Sequence, residues 1–161
     1  MTAGGQGMRF NPDAEGKGVR PMGRTAAGVR GIRLKEDDYV IAMAVVDDAK
    51  DLMIVTNKGY GKRVSFESIP AKGRGGQGVI VINLSERTGY LACAITIDDE
   101  HDLLIATQVG IMSRIHANSI RVMGRQAAGV KVINLAGEDE VISISEQEQE
   151  RTEEETDEPS A

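Results

Sequence analysis

Six arginines recur at two fixed positions of this sequence. Arg24, Arg74 and Arg125 lie in glycine-rich boxes that align without gaps, GRTAAGV, GRGGQGV and GRQAAGV, spaced 50 and then 51 residues apart. Arg9, Arg63 and Arg114 close a second motif, T-x-x-G-x-x-x-R, each followed by an apolar residue. Lys17, Arg20, Arg30, Lys62, Lys72, Arg121 and Lys131 lie close by in sequence. A guanidinium is always charged and its fork of donors matches phosphate oxygens. In a repeat fold, equal positions of successive units fall on one border. These bases are therefore expected to form a curved stripe suited to phosphate backbone. Aromatics make up only 3% of the chain, so the stripe has little means of stacking single-stranded bases. No recognition helix is predicted, which leaves shape-driven contact with the duplex backbone. A solvated face paired to nearby acids is the alternative.

Other chemistry is weaker. Asp47-Asp48 and Asp98-Asp99 pair carboxylates that could hold a divalent cation, but both pairs precede a strand at one repeat position, where turn formation explains them. His101 shares one such turn and His116 follows a strand end; neither has a Cys or Ser at a telling spacing. The lone cysteine, Cys93, lies within an apolar run, excludes an internal disulfide and reads as a small core residue. Tyr39 and Tyr90 occupy matching strand starts and Tyr60 a turn, positions that suit packing better than nucleophilic chemistry. The glycine boxes lack the Gly-Lys-Ser/Thr ending and the following helix of a nucleotide loop. Their glycines fit a tight crossing between neighbouring units.

The elements that must carry these residues repeat as well. Ile and Leu follow each box at equal offsets: Ile32 and Leu34, Ile82 and Leu84, Ile133 and Leu135. The stretch DDAKDLMIVT at 47–56 matches DDEHDLLIAT at 98–107. Each repeat reads as four short strands; in the middle copy these are Val79 to Leu84, Tyr90 to Ile97, Asp102 to Thr107 and Ile111 to Ile115. Four strands every 50 residues predict an all-β, propeller-like array of four-stranded blades. A partial blade at 1–15, repeats from about 16–69 and 70–120, and a partial repeat at 121–145 give about three blade equivalents. A closed ring usually has ~4 to 8 blades. The expectation is a fragment of a larger disc, the C-terminal part of a longer chain.

Charge divides the sequence. Residues 146–161 hold eight acids and one base, whereas residues 1–145 are nearly neutral although the whole chain carries −6. The tail is expected to be disordered, either as a solubilising segment or as a phosphate mimic competing for the basic stripe. The longest clean apolar run, Val40 to Val46, is far too short to span a membrane, and the N-terminus has no apolar signal region, so a cytoplasmic setting is expected.

The G-R-x-[AG]-x-G-V box, the D-D-x-x-D-L-[ML]-I-[VA]-T stretch and the T-x-x-G-x-x-x-R strand resemble the C-terminal repeats of the DNA gyrase A subunit, a family close to the topoisomerase IV A subunit. The resemblance covers residues 1 to about 145, and the three boxes and acidic tail look more like gyrase. It implies a β-pinwheel whose strands exchange between neighbouring blades. It implies a non-catalytic module that binds and wraps duplex DNA on a basic rim. Such a module supports ATP-dependent negative supercoiling by a bacterial A2B2 assembly, together with the rest of the gyrase A subunit and with the gyrase B subunit. ATP and magnesium would act elsewhere, so no cofactor and no catalytic or metal residue is expected here. The matching arginines are Arg9, Arg24, Arg63, Arg74, Arg114 and Arg125; Lys62, Lys72 and Lys131 join them from the basic stripe. The segment 71–78, AKGRGGQG, departs from the family's Q-R-R-G-G-x-G run and lacks its paired arginines. A protein-interaction propeller without nucleic acid is the alternative function.

Overall fold

A computed structural model describes residues 1–148. It is built of β-strands and short 3₁₀ turns. The strands are β1 (Gln6–Gly7), β2 (Asp51–Thr56), β3 (Tyr60–Ser65), β4 (Val79–Ile80), β5 (Leu91–Ile97), β6 (Asp102–Thr107), β7 (Met112–His116), β8 (Val130–Lys131) and β9 (Val141–Gln147). In the middle repeat the expected strands are found, with β4 shortened and the last shifted by one residue. β4 stops early because Val81 and Ile82 turn inward to full burial. The expected tail lies outside the described residues apart from its first three: β9 continues to Gln147, past the expected boundary at 145.

Blades and sequence repeats are out of step. One blade is a four-stranded sheet in the order β5-β2-β3-β8, and all its pairings are antiparallel. Its strands come from three successive repeats. The next blade has the order β7-β6-β9, with Thr107 opposite Val141 as Thr56 is opposite Leu91. The preceding blade is a sparser version, in which β1 pairs with β4 and Thr2 meets Val40. The second and third boxes thus each reach back to an earlier blade, which makes this array a β-pinwheel.

The run DLMIVT forms a central strand with both faces covered. Leu52 and Ile54 pack into one apolar cluster with Val64, Phe66, Val81 and Leu91, whereas Met53 and Val55 enter another with Cys93, Ile97, Leu103 and Ile105. Side chains of a strand alternate between faces, so a near-continuous apolar run is what double burial needs. Ile54 has no solvent exposure. Ile54→Val is expected to lower unfolding stability by about 1 kcal/mol, read from the urea midpoint.

The first repeat forms no regular strand at 40–46, against expectation. β5 and β9 each pair along a strand of the DLMIVT type; the described counterpart for Val40 is only Thr2, the end of such a strand. Met43 and Val45 are accordingly 93% and 83% exposed.

Candidate nucleic-acid interface

Three box loops lie side by side. Gly75 N–H donates to Gly31 O at 2.6 Å and Arg33 N–H to Gly76 O at 2.7 Å, joining the stretch just after the first box to the second box. Asn83 N–H donates to Ala127 O at 3.4 Å, joining the stretch just after the second box to the third box. The boxes therefore form one continuous border across the blades. Close backbone approach explains the last glycine of the second and third boxes. Gly78 and Gly129 have φ near +80° and lie against the backbones of Gly7 and Gly61, where a Cβ on Gly129 would come within 2.7 Å of a carbonyl oxygen.

The loop bases are fixed but not neutralised. Arg74 Nε donates to Gly18 O at 2.9 Å and Arg125 Nη1 to Ile80 O at 3.1 Å, so each is held by a carbonyl of the repeat before it. Lys131 Nζ donates to Lys58 O and lies 4.7 Å from the centre of the Tyr60 ring. Tyr60 therefore heads strand β3 and serves as an aromatic shelf, not as a turn residue. Arg24 and Lys72 are exposed. Among the described residues, the ion pairs involve none of these five bases. Lys17, Arg20, Arg30 and Arg121 are exposed too.

The strand bases have a different task, and the expected stripe is corrected here. Arg63 is 7% exposed, donates from Nε to Ile120 O at 2.8 Å and pairs with Asp51 at 3.3 Å. Arg9 donates to Phe66 O at 2.6 Å and pairs with Asp48 at 3.3 Å. Each thus staples its blade to the chain of the next repeat, at or just after a 3₁₀ turn (Phe66–Ser68 or Ala117–Ser119). Arg114 pairs with Asp102 and is the most exposed of the three. Arg9 and Arg114 retain some exposure, but their charge is already matched. The structure separates the nine expected contact residues into an open set in the boxes and an engaged set on the strands.

Lys62 is fully buried, which the sequence reading missed. Its Nζ donates to Gly124 O at 2.7 Å and Arg125 O at 2.9 Å, tethering the third box to β3. Burial lowers its pKa to about 8 from 10.5. Between these values the unfolded chain binds the proton more than the folded one does, so this site adds stability as pH rises from about 8 to 10.5. Lys62→Met, which copies Met8 at the same position of the first repeat, is expected to remove that rise. Urea midpoints of both proteins across this pH range check it.

The carboxylate turns are structural. Asp47 and Asp98 accept from the backbone N–H of Ala49 and Glu100 at 3.0 and 3.1 Å, closing their own turns. No group of three or more potential metal ligands forms among the described residues. His101 and His116 bond Glu146 and Asp102. Burial pushes the Cys93 thiol up to about 11, so it is not a thiolate nucleophile at neutral pH. Tyr90 closes an inter-blade contact with Glu140 at 2.9 Å, and Asn57 donates to the same carboxylate at 2.7 Å. Among the described residues, no helix is long and apolar enough to cross a membrane.

Strand exchange, box border and repeat spacing coincide with a known family. The sequence model described as DNA gyrase C-terminal domain, beta-propeller, matches residues 1–47, 50–97 and 101–146. The chain belongs to the DNA gyrase C-terminal domain family. It is 44% identical over 147 residues to the DNA gyrase A subunit of Deinococcus deserti, covering 88% of this chain and 18% of that protein. The fold matches a solved DNA gyrase A C-terminal domain with a TM-score of 0.82 and 27% identity, over 91% of this chain and 48% of the other. A solved C-terminal domain of DNA topoisomerase IV shares the fold at a TM-score of 0.81 and 23% identity, covering 91% of this chain and 45% of the other. The chain therefore spans less than a fifth of the Deinococcus deserti protein and about half of the solved domains. The family's β-pinwheel is the architecture described above, and each of the three family matches straddles a boundary between the sequence repeats.

Proposed function

We propose that this chain is a non-catalytic module that binds duplex DNA along its box border and bends it there. The single observation carrying this reading is the hydrogen-bonded row of boxes with Arg24, Lys72, Arg74, Arg125 and Lys131 outside every ion pair of the described residues. Carbonyl anchors on Arg74, Arg125 and Lys131 reduce the side-chain entropy lost when they meet phosphates. Bases set along a curved border favour a bent duplex over a straight one, and sequence enters through deformability.

Family membership supports placing the module within a larger type II topoisomerase. There it would support negative supercoiling in the bacterial cytoplasm, joined to the remainder of a gyrase A subunit and to the gyrase B subunit in an A2B2 assembly. In this reading ATP and magnesium act in other parts of that assembly. Fluorescence anisotropy on random-sequence duplexes tests the binding step. Expected are similar affinities for unrelated sequences and a linear fall of log K with log salt. A chain that binds no duplex at low salt would instead favour a protein-docking propeller.

A further inference from the structure

The blade that has all four of its strands, β5-β2-β3-β8, carries a group of cations that its neighbours lack. Tyr60 stands opposite Lys131 in its ladder. Lys131 Nζ lies 4.7 Å from the centre of the Tyr60 ring, and the guanidinium carbon of Arg87 lies 5.3 Å from it. Lys58, in the turn between β2 and β3, completes the group. Its carbonyl accepts from Lys131 Nζ at 3.1 Å, and its own Nζ donates to Glu86 O at 2.6 Å. All three cations are exposed. Their partners are carbonyls and a ring face, and no ion pair among the described residues includes any of them. The carboxylate of Glu140, in the next repeat, is engaged by Asn57 and Tyr90.

Repetition does not account for this group. Lys58, Tyr60 and Arg87 correspond to Gly4, Gln6 and Asp37 in the preceding blade, and to Val109, Ile111 and Glu138 in the following one. The turns themselves sit alike in each blade. Asp38 accepts from Gly4 N–H at 2.8 Å and Asp139 from Val109 N–H at 3.1 Å, where the central blade has Glu86 O and Lys58. The two outer turns are acidic, with Glu36-Asp37-Asp38 and Glu138-Asp139, whereas the central one reads Ser85-Glu86-Arg87-Thr88. Packing does not account for the group either. Three like charges gathered without a carboxylate repel one another and work against folding. The ring and the carbonyls hold them in place, so little side-chain freedom is left to lose when an anion arrives. Lys131 directly follows the third box, which joins the group to the box border.

We infer that Lys58, Arg87 and Lys131, gathered around Tyr60, bind backbone phosphate of the duplex that follows the box border. The central blade thereby grips DNA beyond the border, while the acidic turns of its neighbours repel a polyanion from the equal positions on either side. The inference rests on the duplex-binding reading above. It adds Lys58 and Arg87, neither of which lies in a box, and it gives the duplex one fixed point on a border of recurring bases.

Two measurements on the full chain test it, both with a random-sequence duplex. In fluorescence anisotropy across a salt series, Lys58→Gln combined with Arg87→Gln should weaken binding about tenfold to hundredfold near 0.1 M salt and flatten the slope of log K against log salt by about 1.8. Lys35→Gln removes one charge, as Arg87→Gln alone does, but from the corresponding acidic turn of the first repeat, and should leave the slope unchanged. In acetylation footprinting of the wild-type chain, read by mass spectrometry, saturating duplex should protect Lys58 severalfold and leave Lys35 as reactive as before. A wild-type chain that binds no duplex would overturn this inference together with the reading it rests on. Duplex binding whose slope is unchanged in the double variant, an equal slope change for Lys35→Gln and Arg87→Gln, or Lys58 acetylated equally with and without duplex would each overturn this inference alone.

Discussion

Changing Arg24, Lys72, Arg74, Arg125 and Lys131 together to glutamine should lower affinity for duplex DNA by about 10³-fold or more near 0.1 M salt. Each phosphate contact contributes about −0.9 to the slope of log K against log salt, so full engagement of five bases would flatten that slope by about 4.5. The loss should be nearly equal for unrelated sequences, since backbone contacts carry no base readout. Folding should be little affected, because none of the five takes part in an ion pair among the described residues. An unchanged slope with unchanged affinity would remove the box border from the DNA interface.

Arg63→Ala should act on stability instead. The side chain is 8% exposed, and it joins Asp51 to the carbonyl of Ile120 in the next repeat. Its removal leaves a partly buried carboxylate and a carbonyl without their partner. The expected loss is about 3 kcal/mol in unfolding free energy. Arg114→Ala is the contrasting variant. Arg114 is 57% exposed, and Asp102 keeps His116 as a second partner, so the loss should stay within about 1 kcal/mol. Equal urea midpoints for the two variants would contradict the staple role of Arg63.

These two predictions mark what could be read from the residues and what could not. Repeat spacing located the strands because β-rich runs bounded by Gly and Asp recur with the fold's own period. It located the box border because equal positions in a repeat share a face. It could not say which recurring base points inward. Lys62 and Arg63 are adjacent on β3 and point to opposite faces, and both are buried because a blade packs against each side. Two signals were nevertheless present. A surface contact should recur, yet the counterparts of Lys62 are Met8 and Ser113. Arg63 and Arg114 recur together with Asp51 and Asp102, which their strands bring opposite in the ladder's neighbourhood. Strand exchange came from the family resemblance alone, because nothing local in a box says that it pairs two repeats back.

The central claim is that duplex DNA follows the curved row of boxes. A nicked plasmid, saturated with the chain and then sealed by ligase, tests it most directly. After protein removal, the account predicts a topoisomer distribution shifted in one direction relative to plasmid sealed alone, with the shift growing as bound protein increases. A distribution centred where the protein-free one lies, with binding demonstrated in the same samples, would contradict it.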